Sequence, residues 1–306
     1  MKQTKKTFSV SIVMPSINGE QLLEKNLPKV IDAWKYKPNN IKEIIIVDDG
    51  SVDGSVALLK NKFPTVKLIK HKINRGFSAA VNTGVRAASG DLILLLNTDV
   101  LPEKDFLVSV LPHFSDDRMF AVSLRERGYG WARGYFGDGY IQLGMGNEDN
   151  NSHICFYVSG GSGVFRRSHW VSLGGMDEKL LSPFYWEDID LCYRAAKRGL
   201  ILMWEPGGIV THKHESTISK FPKEYVARVK ERNQLLMLWK NISSANLVRK
   251  HIFGLISRLV KHPGYIRIVL MALSRFGIML SRRRREIKES KVSDEAIFSR
   301  FGSQEK

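Results

Sequence analysis

Polar and acidic residues follow three apolar runs in the first third of the sequence. These segments are Pro15–Asn18, Asp48–Ser51 and Asn97–Asp99. Neither a GxxxxGK[ST] nor a GxGxxG loop follows the first run, so we expect acids and a metal, rather than a glycine loop, to hold phosphates. A bound divalent cation makes a diphosphate a better leaving group. Helix capping is the alternative role for these acids. Capping explains one acid in the second segment, but less easily two. For Asp99, capping and a functional role explain the position equally well.

A second acidic group comprises Glu187, Asp188 and Asp190. Like charges packed together raise the pKa of at least one member, which suits a general base. The group also lies near the start of a predicted helix, where acids complement the helix dipole. That dipole opposes the rise, so the sequence leaves the net direction of the pKa shift open.

The elements that must position these acids alternate between strands and helices over the first 125 residues. Predicted strands are Phe8–Met14, Glu43–Val47, Val66–Lys70, Asp91–Leu96 and Phe120–Leu124, and predicted helices are Gly19–Trp34, Ser55–Lys62, Gly76–Ala88 and Glu103–Phe114. Apolar strands separated by helices indicate an α/β fold with a Rossmann-like, mostly parallel sheet and helices on both faces. Ligands of such sheets bind beyond the carboxyl ends of the strands.

The second half of the chain is predicted to be irregular and then helical. Arg125–Ser152 shows no period and is expected to be a long functional loop. The elements predicted after it are a helix at Phe184–Arg198, a strand at Leu200–Trp204, helices at Glu224–Trp239, Leu247–Val260 and Tyr265–Arg285, and a mobile tail over the last twenty residues.

The positive charge is concentrated at the end of the chain. The net charge is +16, and residues 241–306 hold fourteen Lys or Arg against five acids. Four consecutive cations, Arg282–Arg285, follow an apolar helix, which favours contact with an anionic membrane surface. The alternative is a set of solvated helices that complete the fold. Because the charge does not cover the whole chain, no nucleic-acid partner is expected.

The two cysteines, Cys155 and Cys192, have no metal-site spacing, so we expect a reducing compartment. No run of about 18 apolar residues occurs, and no transmembrane helix is expected. These features predict a cytoplasmic protein that is peripheral at the inner face of the cell membrane.

Eight motifs occur in order over about residues 8–240: SIVMPSIN, IIIVDDGSVDGS, NRGFSAAVNTG, GDLILLLNTD, SGGSGVFRR, GGMDE, WEDIDLCYRAAKRG and VTHKHEST. In this order the sequence resembles the family 2 glycosyltransferases of the GT-A fold, particularly their rhamnosyltransferase-like bacterial branch. The resemblance implies a GT-A catalytic domain over residues 1–222, with a donor half at about 8–125 and an acceptor half at about 126–222. Residues 223–306 would form a helical basic extension.

The resemblance also implies a donor site. Pro15 and Asn18 would line the nucleotide, and Asp49 would hydrogen-bond its base. Arg75 is a further expected contact of the diphosphate, with an exposed loop cation as the alternative. The donor would be a dTDP-, UDP- or GDP-linked sugar.

The metal site is implied in the same way. Asn97–Asp99 matches the D-x-D motif of the family, with Asn97 in the first place, which brings no charge and would weaken the metal site. Asp99 would be a direct ligand of Mg2+ or Mn2+. His212 would be the second protein ligand, with His214 as the fallback.

The acceptor half would carry the chemistry. Trp186 and Glu187 would contact the acceptor or sugar, and Asp188 matches the catalytic base of an inverting enzyme. Gly160 and Gly161 would let the backbone approach the sugar, with a simple turn as the alternative. The implied reaction transfers a sugar, with rhamnose suggested by the branch, to a hydroxyl of a glycan or lipid-linked acceptor in cell-surface polysaccharide assembly.

Three other functions remain open from the sequence. A nucleotidyltransferase would carry a phosphate loop where this chain has Pro15–Gly19. A nucleic-acid-binding protein would show salt-dependent binding, but would not need acids after three strands. A catalytically inactive relative is disfavoured by the intact acids and is kept open by Asn97. The remaining histidines are predicted to lack a site around them: His71, His113, His153, His169, His251 and His262.

Overall fold

The computed structural model describes residues 7–213 and 221–302. The strands are β1 (Val10–Ser16), β2 (Ile41–Asp48), β3 (Lys67–Lys70), β4 (Leu92–Leu96), β5 (Val100–Pro102), β6 (Met119–Glu126), β7 (Ala132–Gly137), β8 (Tyr140–Met145), β9 (His153–Ile154), β10 (Ser162–Arg166) and β11 (Ile201–His212). The helices are α1 (Glu20–Lys35), α2 (Ser55–Lys62), α3 (Phe77–Ala87), α4 (Arg167–Leu173), α5 (Glu187–Lys197), α6 (Lys223–Asn241), α7 (Ala245–Lys261), α8 (Ile266–Leu273), α9 (Phe276–Glu289) and α10 (Asp294–Phe298).

A nine-stranded sheet runs in the order β3-β2-β1-β4-β10-β6-β11-β5, with β9 paired to β11. Strands β1 to β4 are parallel, and β10 is antiparallel to both β4 and β6. The apolar strands are buried on both faces, since Ile12 packs into the core on one side and Val13 into the core on the other. The predicted α/β class and its mostly parallel sheet are confirmed.

The helix predicted at Glu103–Phe114 is wrong. That segment forms successive turns and then a 3-10 helix at Leu111–Ser115. Pro112 has no amide hydrogen and would clash with the carbonyl four residues earlier in an α-helix. The carbonyl of Phe114 instead accepts a hydrogen bond from the guanidinium of Arg166.

The long structureless loop predicted at Arg125–Ser152 is also wrong. Strand β6 runs on to Glu126, and β7 and β8 form an antiparallel hairpin. Asp138 and Gly139 make its turn with φ of 53° and 83°. Asp-Gly is a strong hairpin signal because it tolerates positive φ at both turn positions, so the sequence contained the evidence for this element.

The end of the chain differs from the prediction as well. The predicted helix Tyr265–Arg285 is broken, and the segments Pro263–Leu273 and Phe276–Glu289 meet at a bend of 69°. The predicted mobile tail is wrong over residues 287–302, where α9 ends, α10 follows, and Phe298 and Phe301 are buried. Asp294 anchors this part of the chain, because its carboxylate accepts hydrogen bonds from Tyr193 and Lys197 at 2.7 Å.

Helices α6 to α9 share a hydrophobic core with the hairpin and with α5. This cluster includes Ile141, Phe156, Ile189, Leu236 and Ile268. Residues from both sides of the boundary predicted at residue 222 therefore contribute to one hydrophobic core. The domain division stays a prediction.

Candidate active site

Two cavities meet beside Asp188. The strand-end cavity, of about 310 Å³, lies beyond the carboxyl ends of β1, β2 and β4, and its walls include Pro15, Asp49, Asn97, Asp99, Gly160, Gly161, Glu187 and Asp188. The hairpin cavity, of about 400 Å³, lies between the hairpin and α5, and its walls include Glu126, Leu143, Trp186, Asp188 and His212. Ser159, Tyr185 and Asp188 belong to both walls. The arrangement suits two ligands that meet at one carboxylate.

Asp49 organises the loop at the edge of the strand-end cavity. Its carboxylate accepts hydrogen bonds from the amides of Arg75 and Gly76 at 3.0 and 2.8 Å. His71 Nδ1 lies 2.7 Å from Asp49 Oδ1, and its other ring nitrogen lies 3.1 Å from Thr83 Oγ1. His71 thus braces Asp49 without being part of either cavity wall among the described residues, and the prediction that it lacks a site of its own stays a prediction.

The neighbouring predicted donor residues have different positions. Asn18 is exposed and accepts a hydrogen bond from the amide of Val52, so it braces the turn after β2. The Arg75 side chain points to Glu178, 3.3 Å away. Within the described part of the chain, Asn18 and Arg75 lie outside the walls of both cavities. The carboxylate of Asp48 accepts a hydrogen bond from the amide of Ser51 in the same turn, as expected for an acid that stabilises the turn.

Asp99 and His212 come together because β5 pairs with the end of β11. His212 lies opposite Val100 in this antiparallel pairing, and its Nε2 is 3.2 Å from Asp99 Oδ1. Its Nδ1 is 3.1 Å from Glu126 Oε2. Burial alone would lower the pKa of His212, but the hydrogen bonds with Asp99 and Glu126 raise it to about 9. His214, the fallback ligand, lies outside the described residues.

The donor set of Asp99 and His212 fits a divalent ion. Asp99 Oδ1 and His212 Nε2 lie 3.2 Å apart, so both side chains would reach one divalent ion once the His212 ring has released its proton. Glu126 on the other ring nitrogen would fix the imidazole tautomer. Residues 7–213 and 221–302 hold no group of three or more His, Cys, Asp or Glu arranged for a metal. Two protein ligands would leave positions for water and phosphate oxygens.

The three acids at the start of α5 have different environments. Burial raises the pKa of Asp188. Hydrogen bonds from the amides of Gly160 and Ile189 lower the pKa, but they offset the effect of burial only in part. Burial, followed by repulsion from Asp188, raises the pKa of Glu187 well above its ordinary value. The sequence left the direction of the pKa shift open. In the structure, the pKa is raised for both Glu187 and Asp188, which line the strand-end cavity.

Asp190 behaves in the opposite way because it is paired. Burial would raise its pKa, but Lys240 and Arg194 lower it to about 2. The two cations lie 2.8 and 2.9 Å from its carboxylate, and Asn241 donates to it at 2.8 Å. Asp190 therefore ties α5 to α6.

The loop before Asp188 is held from the C-terminal helices. Asn233 on α6 donates from its Nδ2 to the carbonyls of Leu181, Phe184 and Tyr185, the last two at 2.9 and 3.0 Å. Arg275, between α8 and α9, donates to the carbonyls of Lys179, Leu180 and Ser182. Tyr185 and Trp186 adopt φ of 70° and 74°, a costly conformation for side chains of this size. These helical contacts were missed from the sequence, because nothing local to residue 233 or 275 points to the loop.

The two predicted glycines pack closely against the site. The amide of Gly160 donates to Asp188 Oδ2 at 3.2 Å. A Cβ on Gly161 would lie 2.5 Å from Asn97 Nδ2. Glycine at 161 therefore allows the backbone to approach Asn97, so these residues are more than a simple turn.

Comparison with known proteins identifies the family and the fold of this chain. The model of the family described as glycosyl transferase family 2 matches residues 11–171. The pre-mycofactocin glycosyltransferase of Mycobacterium tuberculosis is 31% identical over 195 residues, covering 60% of this chain and 39% of that protein. The chain thus spans about two fifths of the length of this relative.

Two solved structures resemble the fold. GalNAc-T7 with UDP, GalNAc and Mn2+ has a TM-score of 0.63 at 15% identity, over 85% of this chain and 57% of that chain. The mannosyltransferase PcManGT from Pyrobaculum calidifontis in complex with GDP-Man and Mn2+ has a TM-score of 0.57 at 15% identity, over 93% of this chain and 86% of that chain. At such identities the likeness concerns the fold alone. Together with a family match over more than half of the sequence, it shows that this chain belongs to glycosyl transferase family 2 and has the GT-A fold.

Proposed function

We propose that this chain is an inverting, divalent-metal-dependent glycosyltransferase that transfers a sugar from a nucleotide-diphosphate donor to a hydroxyl of a glycan or lipid-linked acceptor. The observation that carries the proposal is the meeting of two cavities at Asp188, a carboxylate whose pKa is raised by burial. A general base is most effective when its pKa approaches the working pH.

The strand-end cavity is the proposed donor site. Its walls include Pro15 and Asp49, which would contact the nucleotide, and Asn97 and Asp99, which would face the phosphates. Asp99 and His212 would hold Mg2+ or Mn2+, which would supply positive charge to the departing diphosphate. Asn18 and Arg75 would reach the donor only after a change in their loops, because Asn18 now bonds Val52 and Arg75 faces Glu178.

The hairpin cavity is the proposed acceptor site. Asp188 takes the proton of the acceptor hydroxyl, and the oxygen bonds to the anomeric carbon as the bond from that carbon to the diphosphate oxygen breaks. The electron pair leaves with the nucleoside diphosphate, and a single displacement inverts the anomeric centre. Glu187, whose pKa is raised by burial and by repulsion from Asp188, lies in the wall of the strand-end cavity and would contact the sugar.

A screen of nucleotide sugars tests the proposal. dTDP-, UDP- and GDP-linked sugars, dTDP-rhamnose among them, are added with Mn2+, with Mg2+ or with a chelator, and thermal shift and donor hydrolysis are read. We expect one nucleotide class to stabilise the protein and to be hydrolysed slowly, with both effects lost in chelator. Failure of every donor to bind would contradict the donor site, and full hydrolysis in chelator would contradict the metal.

The cellular role that we propose is assembly of cell-surface polysaccharide, with rhamnosyl transfer as the specific form to test. Among the relatives is the poly-beta-1,6-N-acetyl-D-glucosamine synthase of Staphylococcus aureus, at 27% identity over 64% of this chain and 48% of that protein. The donor screen separates the alternatives, because only a rhamnosyltransferase would prefer dTDP-rhamnose.

A further inference from the structure

The outer faces of α7, α8 and α9 are unusually apolar for a surface. Of the 21 large apolar side chains exposed among the described residues, 11 lie between Ile252 and Ile287. Large exposed apolar patches with a polar rim mark sites of interaction with another protein or a membrane. Among the described residues, this segment is therefore the richest in exposed apolar side chains.

The exposed side chains follow helical spacing. On α7 they are Ile252, Phe253, Ile256 and Val260, with Phe253 67% and Val260 75% exposed. The intervals of one, four and eight residues place all four on one side of the helix. Along α8 the series Ile266, Leu270 and Leu273 continues the pattern, and Phe276 and Leu280 extend it on α9.

Cations border this apolar face. Lys250, Lys261 and Arg267 are exposed, and no carboxylate within residues 7–213 and 221–302 pairs with them. A cleft of about 710 Å³ between α7 and the β7–β8 turn is lined by Lys250, Lys261 and Arg258, with Asp138 as its one acid. Arg258 packs over the rings of Tyr140 and Tyr265 at 4.9 and 4.5 Å. The cleft thus offers positive charge next to exposed Phe253.

The cation run Arg282–Arg285, by contrast, is partly engaged by carbonyls and carboxylates of the protein, although Arg282, Arg284 and Arg285 remain exposed. Arg283 donates to the carbonyls of Trp239 and Ile242, each at 2.6 Å. Arg285 donates to the carbonyl of Ser172, and Arg282 lies 3.5 Å from Asp177. The membrane contact expected through this run stays a prediction, whereas Lys250, Lys261 and Arg267 border the apolar face of α7 and α8.

We propose that the face formed by α7, α8 and the start of α9 docks onto an anionic lipid surface. Phe253 and its neighbours insert into the interface, and Lys250, Lys261 and Arg267 contact lipid phosphates. In the described part of the chain no single helix is long and apolar enough to span a bilayer, and one bent pair meets the length and composition criteria. Amphipathic helices instead lie in the plane of the membrane, with their apolar face buried at the boundary between headgroups and acyl chains. A symmetric dimer through the same face would bring like charges together, which favours lipid over a second copy.

Vesicle co-sedimentation of the full chain tests this surface. We expect binding to phosphatidylcholine vesicles that contain about 30% phosphatidylglycerol, weakening with salt because surface charge is screened. The double variant Phe253→Glu, Ile256→Glu should bind roughly 100-fold more weakly, because two apolar anchors are lost. Val171→Glu, at a 59% exposed site on α4, is the matched control and should bind normally.

The charge contribution is tested separately. Lys250→Ser with Lys261→Ser should weaken binding to the anionic vesicles by roughly 30-fold, on the basis of the usual gain per cation. Lys60→Ser with Lys72→Ser removes two exposed lysines elsewhere and should have little effect. Size-exclusion chromatography with light scattering completes the test. The proposal is overturned if the wild-type chain ignores anionic vesicles, if the Phe253 variant binds as well as the wild type, or if that variant only converts a dimer to a monomer.

Discussion

The two groups of acids in this site are positioned by different parts of the molecule. On the donor side, Asp49 is held by amides of the loop after β3, and Asp99 meets His212 through the β5–β11 pairing. On the acceptor side, Asp188 follows a loop whose carbonyls are held by Asn233. The sheet thus organises the proposed binding residues, whereas the C-terminal helices organise the proposed base. Changes in those helices should therefore affect turnover more than donor binding.

The largest expected effect is that of Asp188→Asn. General-base catalysis contributes about 10²- to 10⁴-fold, so we expect kcat to fall by about 10³-fold while donor affinity is not weakened. Steady-state kinetics and donor titration by calorimetry measure the two effects. Asp105→Asn, an exposed acid away from both cavities, is the control. Near-normal turnover of Asp188→Asn would remove this residue from the mechanism.

The next effect concerns stability at Asp190, two residues along the same helix. Removing one member of a buried ion pair costs about 3–5 kcal/mol, so Asp190→Asn should lower the free energy of unfolding in urea by that amount. The folded pKa of Asp190, about 2, lies below the ordinary value of 3.8. Its carboxylate therefore stabilises the fold above about pH 4, and this contribution is lost as the pH falls towards 2. The variant should lack that part of the acid dependence, and an unchanged acid profile would contradict the pairing.

Asn233 and Asn26 form a direct comparison between the two sides. Asn26 Nδ2 donates to the carbonyl of Thr98 at 2.8 Å, and so holds the segment that carries Asp99. Asn233→Ala should lower kcat by about 10²-fold, because a small displacement of the base is costly. The donor KM should rise by less, although the same loop brings Tyr185 into the wall of the strand-end cavity. Asn26→Ala should instead raise the donor KM and the metal requirement. Identical kinetic profiles for the two variants would mean that the sides are not separately organised.

The smallest expected effect is the pH dependence on the acid side of the activity profile. Asp188 must be deprotonated to act, and burial raises its pKa. The kcat/KM of the wild type should therefore fall about tenfold per pH unit below that pKa, with a midpoint above the ordinary 3.8. The residual activity of Asp188→Asn should lack this limb. A midpoint at or below the ordinary value would contradict the buried state of the carboxylate.

The regular elements near the site were predictable because their signals are local. The apolar strands before Asp48 and Asn97, and the helices between them, follow from hydrophobic period alone. The failures were local too: Pro112 prevents the helix predicted at Glu103–Phe114, and the Asp138–Gly139 turn marked a hairpin that the aperiodic composition concealed.

The sequence by itself determined the α/β class, the acids at the strand ends and, through its motifs, the choice of Asp188. Tertiary structure alone decided that Glu126 contacts His212 and that His71 contacts Asp49. It also decided that Asn233 holds the loop before the base. The pKa values of Asp188 and Asp190 shift in opposite directions for the same reason. The physical reason is distance along the chain. A strand or helix depends on neighbours within a few residues, whereas the charge state of a buried acid depends on partners such as Lys240, which lies 50 residues from Asp190.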